Sequence, residues 1–254
     1  MLLTIDIGNT NITLGVYDGE ILGPRWRLAT DHERMPDEYG LQFVGLLEHA
    51  EQLPGDVTGV CLASVVPPLT GRVVQACRQY LNQDPLVVDA GVKTGVRVRY
   101  EDPRAVGADR VADAAAVQRL YGGPACVVDF GTATTFDAIS KEGEYLGGAI
   151  APGIGIAAEA LYLKTAKLMR VDLQRPPAAI GRNTVHSMQS GLLFGYVGLV
   201  EGMVARFRQE LGLDMKVIAT GGLAEIVAAE TRVIQILAPW LTLDGLRIIW
   251  SLNR

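Results

Sequence analysis

Cysteine and histidine are scarce in this chain, with three of each among 254 residues. Cys61, Cys77 and Cys126 lie far apart in apolar stretches, so they offer no disulfide framework. They read as buried thiols of a reducing compartment. His32, His49 and His186 share no HExxH or Cys/His spacing, which leaves no visible zinc site. No Gly-Lys dipeptide occurs, which excludes a Walker A loop of the form GxxxxGK, and there is no GxSxG nucleophile elbow. Uninterrupted apolar runs long enough to span a bilayer are missing as well, because Gly, Pro or charge breaks each one. Met1–Asp6 has no basic n-region and meets a carboxylate at once, unlike a signal peptide. Nor is there a basic excess: 23 Lys and Arg face 28 Asp and Glu, for a net charge of -5. That is the wrong sign for a sequence-independent grip on nucleic acid. The expectation is a cytoplasmic protein that engages neither nucleic acid nor membrane.

What the chain does have is apolar content, 49% against 20% charged residues, enough to build a sizeable core. Its length suits two small domains or one large one. An internal repeat favours two. Residues 3–23, LTIDIGNTNITLGVYDGEILG, echo residues 126–147, CVVDFGTATTFDAISKEGEYLG. Aligning Asp6 with Asp129 also aligns Gly8 with Gly131. One inserted residue in the next turn then aligns Gly19-Glu20, Leu22 and Gly23 with Gly143-Glu144, Leu146 and Gly147. Each copy reads as strand, tight turn, strand, turn, strand. Downstream, Val60–Ser64 and Val217–Gly221 are both short apolar strands ending at a small-residue loop that opens a helix.

Helical stretches are expected at Asp37–Gln52, Leu69–Leu81, Asp109–Leu120 and Ser187–Leu211. In the last, Gly191, Gly195, Gly198 and Gly202 fall at 4-3-4 spacing. Interior glycines cost about 1 kcal/mol each relative to Ala, so either a close helix approach offsets them, within the chain or across a dimer, or the helix breaks near Gly195. The whole reads as a duplicated α/β architecture with domains at residues 1–117 and 118–254, divided at the turn cluster Tyr121-Gly122-Gly123-Pro124. A cleft between the halves would face both Asp-x-Gly turns.

The turn Asp6-Ile7-Gly8-Asn9-Thr10-Asn11 can be a plain hairpin, since these residue types favour turns. It can also hold phosphate. Gly8 lets backbone approach without a Cβ, Asn9, Thr10 and Asn11 donate, and Asp6 can hold magnesium directly or through water. The second copy, Asp129-Phe130-Gly131-Thr132-Ala133-Thr134-Thr135, makes a pair of phosphate turns the better reading. Thr220-Gly221-Gly222 ends a late strand where adenosine could lie against backbone.

This combination resembles the actin-like (ribonuclease H-like) superfamily of sugar kinases and chaperone ATPases. Further motifs follow in order: Gly91-Val92-Lys93-Thr94-Gly95, Tyr100, Gly107-Ala108-Asp109-Arg110, Gly147–Gly153, Gly181-Arg182-Asn183-Thr184, Gln189-Ser190-Gly191 and Leu241–Leu246. With the first turn they look like a type III pantothenate kinase over nearly the whole chain. The resemblance implies phosphorylation of pantothenate by ATP, with Mg2+ and a monovalent cation, potassium or ammonium, in a homodimer. It implies that Asp6, Ile7, Gly8, Asn9, Thr10, Asn11, Ile12 and Thr13 line the ATP phosphates, joined by Thr132. By the same resemblance Asp129 is the monovalent-cation ligand. Tyr100, Gly107, Ala108, Asp109, Arg110 and Thr184 contact pantothenate, and Asp109 is the proton acceptor.

Read without the resemblance, several of these residues have plainer roles. Asp109 can cap the Ala-rich helix it opens, and a helix-start carboxylate can do both jobs. Arg110 would favour the ionised carboxylate, or could pair with Asp113 one turn on. Tyr100 could be a half-buried strand residue, Asp129 a strand-end carboxylate and Thr184 a loop hydroxyl. Either Arg110 or Tyr100 could meet the carboxylate of pantothenate. Two other functions stay open here: an actin-like kinase for another small alcohol, and a non-enzymatic transcription accessory factor of the same fold.

Overall fold

The computed structural model describes residues 1–254 and divides into two compact units. The first comprises Met1–Tyr121 and Leu241–Arg254, the second Gly122–Trp240. Ten strands and seven helices follow one another in chain order. The first unit holds β1 (Leu2–Ile7), β2 (Asn11–Asp18), β3 (Ile21–Ala29), α1 (Pro36–His49), β4 (Gly59–Ser64), α2 (Pro67–Leu81), β5 (Leu86–Val87) and α3 (Ala108–Leu120). The second holds β6 (Ala125–Phe130), β7 (Ala133–Ile139), β8 (Tyr145–Pro152), α4 (Ile154–Lys164), α5 (Thr184–Leu211), β9 (Lys216–Thr220), α6 (Ala224–Ala228) and β10 (Ile236–Leu237). The last helix, α7 (Leu241–Leu252), returns to the first unit.

The repeat read from the sequence is a repeat of topology. One sheet runs β3-β2-β1-β4-β5 and the other β8-β7-β6-β9-β10, each with an antiparallel three-strand meander and two parallel strands. Asp6 pairs with Thr13 on one side and Ala63 on the other; Asp129 pairs with Thr135 and Thr220. Both carboxylates thus occupy the penultimate position of a central strand. The two copies already differ in the first turn, which covers residues 8–11 between paired Ile7 and Ile12 but only 131–133 between Phe130 and Thr134. The sequence alignment places its single offset one turn later.

Central strands β1 and β6 are apolar almost throughout because both of their faces are covered. Leu3, Ile5 and Ile7 share one face and pack with Tyr39, Phe43 and Leu47 of α1 and Leu69 and Val73 of α2. Thr4 and Asp6 alternate to the other face, where the Thr4 hydroxyl donates to the Gly15 carbonyl at 3.0 Å. In the second unit Cys126, Val128 and Phe130 pack under Leu193, Val197, Val200 and Val204 of α5. Cys61, Cys77 and Cys126 are free and buried, and burial raises all three thiols, Cys61 and Cys77 to about 12.

Two expectations change. Residues 118–254 do not form one unit, because α7 packs on α3: a Cβ on Gly245 would collide with the Ala112 carbonyl. Thr242 adds a 2.8 Å hydrogen bond from its hydroxyl to Asp113, which is 3% exposed. The long helix α5 is unbroken at Gly195. Gly191, Gly195 and Gly198 meet nothing within 4 Å where a Cβ would stand, so close packing within the chain does not explain the glycine spacing. By length and apolar composition α5 could cross a membrane, at a mean hydropathy of 1.2, but it is also the helix that covers the second sheet.

Candidate active site

The first turn is tied at both ends. The Gly8 N–H donates to the Asn11 carbonyl at 3.0 Å, and a Cβ on Gly8 would stand 3.1 Å from that same oxygen. Thr30 straps the turn from the end of β3: its N–H donates to Thr10 O at 2.9 Å and its hydroxyl to Gly8 O at 2.7 Å. Thr30 has no motif around it, and nothing in the sequence singles it out. Asn9, Thr10 and Asn11 are exposed, while Asp6, Gly8 and Thr13 are half-buried. Ile7 and Ile12 are fully buried and belong to the core, so only their backbone is available to a ligand.

The second turn is shaped from further along the chain. Gly221, at φ +90°, lies so close to Asp129 that a Cβ there would collide with Oδ1 and with the Phe130 backbone. Gly131 stands 3.4 Å from Oδ2 by the same measure. A Cβ on Gly153 would collide with the Thr132 carbonyl. Thr132 itself is exposed and Asp129 half-buried. Gly221 follows β9, which pairs with β6, so the strand pairing itself sets the Asp129 carboxylate against glycine backbone.

Asp109 sits in the first turn of α3, one residue inside the helix, with Gly107 as N-cap. Its Oδ1 accepts from the Arg110 N–H at 2.8 Å, satisfying one of the free donors at the helix start. A Cβ on Gly107 would collide with that carboxylate, and it would stand 3.3 Å from Val65 Cγ1. Burial raises the Asp109 carboxyl above the ordinary 3.8, and outweighs the Arg110 N–H and guanidinium, which favour the ionised form. The sequence exposed the opposing effect of Arg110 but not the burial. Tyr100 is 45% exposed in the irregular segment before α3, rather than half-buried in a strand.

Thr184 belongs to the second unit, as the exposed first residue of α5. Asn183 caps that helix, its Oδ1 accepting from the His186 N–H at 2.9 Å. No cluster of three or more His, Cys, Asp or Glu side chains could enclose a metal unaided. Magnesium ordinarily takes one or two carboxylates, substrate phosphates and water.

The type III pantothenate kinase family model matches residues 2–206. A type III pantothenate kinase from Roseiflexus sp. (strain RS-1) is 53% identical over 254 residues, covering 100% of both chains. Among solved structures, a Campylobacter jejuni protein described as a Baf family transcriptional activator aligns at a TM-score of 0.63 and 21% identity, covering 99% of this chain and 98% of that one. The inorganic polyphosphate/ATP-glucomannokinase from Arthrobacter sp. strain KM aligns at a TM-score of 0.52 and 15% identity, covering 100% of this chain and 99% of that one. At these identities the two structures show the fold alone: the duplicated actin-like, ribonuclease H-like α/β architecture. The full-length match at 53% identity and the family match over most of the chain carry more. The chain belongs to the type III pantothenate kinase family.

Proposed function

We propose that the chain phosphorylates pantothenate at the expense of ATP, giving 4'-phosphopantothenate and opening coenzyme A biosynthesis, with Asp109 as proton acceptor. The observation that carries this reading is the match to the type III pantothenate kinase family over residues 2–206 and along the full length, with Asp109 at the start of α3 within the Gly107–Arg110 motif. A primary alcohol is a poor nucleophile at neutral pH, and a carboxylate in hydrogen-bond reach accepts its proton as the bond to phosphorus forms. Desolvation makes that carboxylate a stronger base. Arg110 favours its ionised form and, with Tyr100, offers donors to pantothenate oxygens; Gly107 and Ala108 leave backbone open to the substrate. Thr184 contributes a hydroxyl to the pantothenate pocket.

The turn from Asp6 through Thr13 receives the ATP phosphates: Gly8 by close backbone approach, Asn9, Thr10, Asn11 and Thr13 by side chains, Ile7 and Ile12 by backbone only. Thr132 adds a hydroxyl. Asp6 holds magnesium directly or through water; when bound, the ion neutralises charge on the β- and γ-phosphates. Asp129 holds potassium or ammonium. A hard monovalent ion prefers oxygen ligands, and the half-buried Asp129 carboxylate near the end of β6 supplies one.

The working unit is a homodimer. Its support is the uncovered Gly191/Gly195/Gly198 face of α5, together with exposed Ile156, Leu161 and Leu163 on neighbouring α4. The protein acts in the cytoplasm. An ATP-consumption assay over a panel of alcohols, with and without potassium, tests the reading. Pantothenate alone should drive ADP release; equal turnover with a sugar or another alcohol would contradict it.

A further inference from the structure

A backbone carbonyl and a phosphate oxygen are both acceptors, so a turn that receives phosphate must aim its carbonyls elsewhere. Of the five carbonyls from Ile7 to Asn11, four accept hydrogen bonds within the chain. Ile7 O accepts from the Val65 N–H at 3.0 Å and Asn11 O from the Gly8 N–H at 3.0 Å. Thr30 holds the other two, Gly8 O by its hydroxyl at 2.7 Å and Thr10 O by its N–H at 2.9 Å. Asn9 lies between those two and is exposed, and no hydrogen bond within the chain engages its N–H. We infer, on the reading of Asp6–Thr13 as the phosphate turn, that Thr30 is a positioning residue for the nucleotide: by occupying the Gly8 and Thr10 carbonyls it makes the turn a surface of donors.

Successive N–H groups with their carbonyls turned away form the backbone concavities that take anions. Thr30 can set that polarity because it is itself held. Its branched β-carbon restricts the side-chain rotamer, and the segment after it is fixed to both helices on that face of the sheet. The Tyr39 hydroxyl of α1 donates to Asp31 O at 2.9 Å, and Arg72 of α2 donates through Nη1 to His32 O at 2.9 Å and to Arg34 O at 3.0 Å. Tyr39 is fully buried among the core residues of the unit. The turn therefore has its carbonyls placed by helix packing before a ligand arrives, which lowers the cost of ordering on binding.

The duplicated turn shows that the fold does not need this hydroxyl. Pro152 pairs with Ala133 in the second sheet as Ala29 pairs with Asn11 in the first, so Gly153 occupies the place of Thr30. A Cβ on Gly153 would collide with the Thr132 and Gly131 carbonyls. The second turn is thus closed by bare backbone, with no room for a side chain, where the first is closed by a threonine. Three strands of this topology form either way, and the hydroxyl is a feature of the turn that carries Gly8.

The test compares Thr30→Val, which keeps the branched shape and the N–H, with Thr30→Ser, which keeps the hydroxyl. The full chain is titrated with ATP and magnesium, initial rates are measured against ATP and against pantothenate, and the same samples are melted. The expected result for Thr30→Val is weaker ATP binding and a KM for ATP raised about fivefold, the scale of one hydrogen bond. The KM for pantothenate and kcat at saturating ATP should stay near those of the unmodified chain, and Thr30→Ser should restore ATP binding. If Thr30→Val fails to fold, Arg72→Gln, which releases the segment from α2 and leaves Thr30 intact, should show the same split. A lower melting temperature with unchanged ATP binding would make Thr30 a stabilising residue only and overturn the inference, as would an equal rise in both KM values. Failure of the unmodified chain to bind ATP would remove the phosphate-turn reading itself, and the role of Thr30 with it.

Discussion

Gly221 and the Asp129 carboxylate share a space that admits no β-carbon. Gly221 also has φ +90°, a conformation that side chains other than glycine rarely adopt. Gly221→Ala is therefore expected to cost about 1–3 kcal/mol of stability through overpacking and to push Asp129 out of place. Thermal melts and a potassium titration of activity should move together. Lower melting with an unchanged potassium requirement would separate Asp129 from the cation.

Asp129→Ala removes the carboxylate without adding bulk. Activity of the unmodified chain should rise with potassium or ammonium and not with sodium, and the variant should lose that response. Rates in sodium equal to those in potassium would remove the cation role.

Tyr17 and Asp244 tie α7 to β2 through a 2.7 Å hydrogen bond from the phenol to Oδ1. Burial raises the Asp244 carboxyl above its ordinary 3.8, while the Tyr17 hydrogen bond and Arg247 pull it down. A raised carboxyl contributes stability below its unfolded pKa, and that contribution is lost as pH rises through the folded one. Tyr17→Phe raises Asp244 further, so the variant should lose more stability at about pH 7 than at about pH 4. An unmet buried carboxylate costs about 1–3 kcal/mol. Melting curves at both pH values check this; equal losses would mean that Asp244 ionises freely without Tyr17.

Much of this was legible because the signals were local. Apolar strands around Asp6 and Asp129 and the Ala-rich run of α3 each declare themselves within a dozen residues. Helix α4 did not, because most of it is exposed and it carries no apolar periodicity. Leu241–Leu246 read only as a motif, since the partner that makes α7 a helix of the first unit, Ala112, is remote in sequence. The same holds at the site. Arg110 beside Asp109 is visible in the chain, but the burial that outweighs it is a property of the folded chain. Thr30 and Gly221 act on their turns only through tertiary contact.

Gly195→Leu tests the homodimer. Nothing within the chain lies within 4 Å of that position, so the variant should keep its melting temperature as an isolated chain. It should become monomeric by light scattering and bind pantothenate more weakly. A dimer that survives the leucine would place the subunit contact elsewhere, and an unmodified chain that is monomeric at micromolar concentration would end the proposal.

The central claim concerns Asp109, and initial rates of pantothenate-dependent ADP release by the unmodified chain and by Asp109→Asn, with melting curves on the same samples, test it most directly. The account predicts turnover lowered by about 10² or more in the variant, the scale of a lost general base. It also predicts a melting temperature equal or higher, because asparagine can still accept the Arg110 N–H and no longer carries a desolvated charge. Turnover near that of the unmodified chain would contradict it.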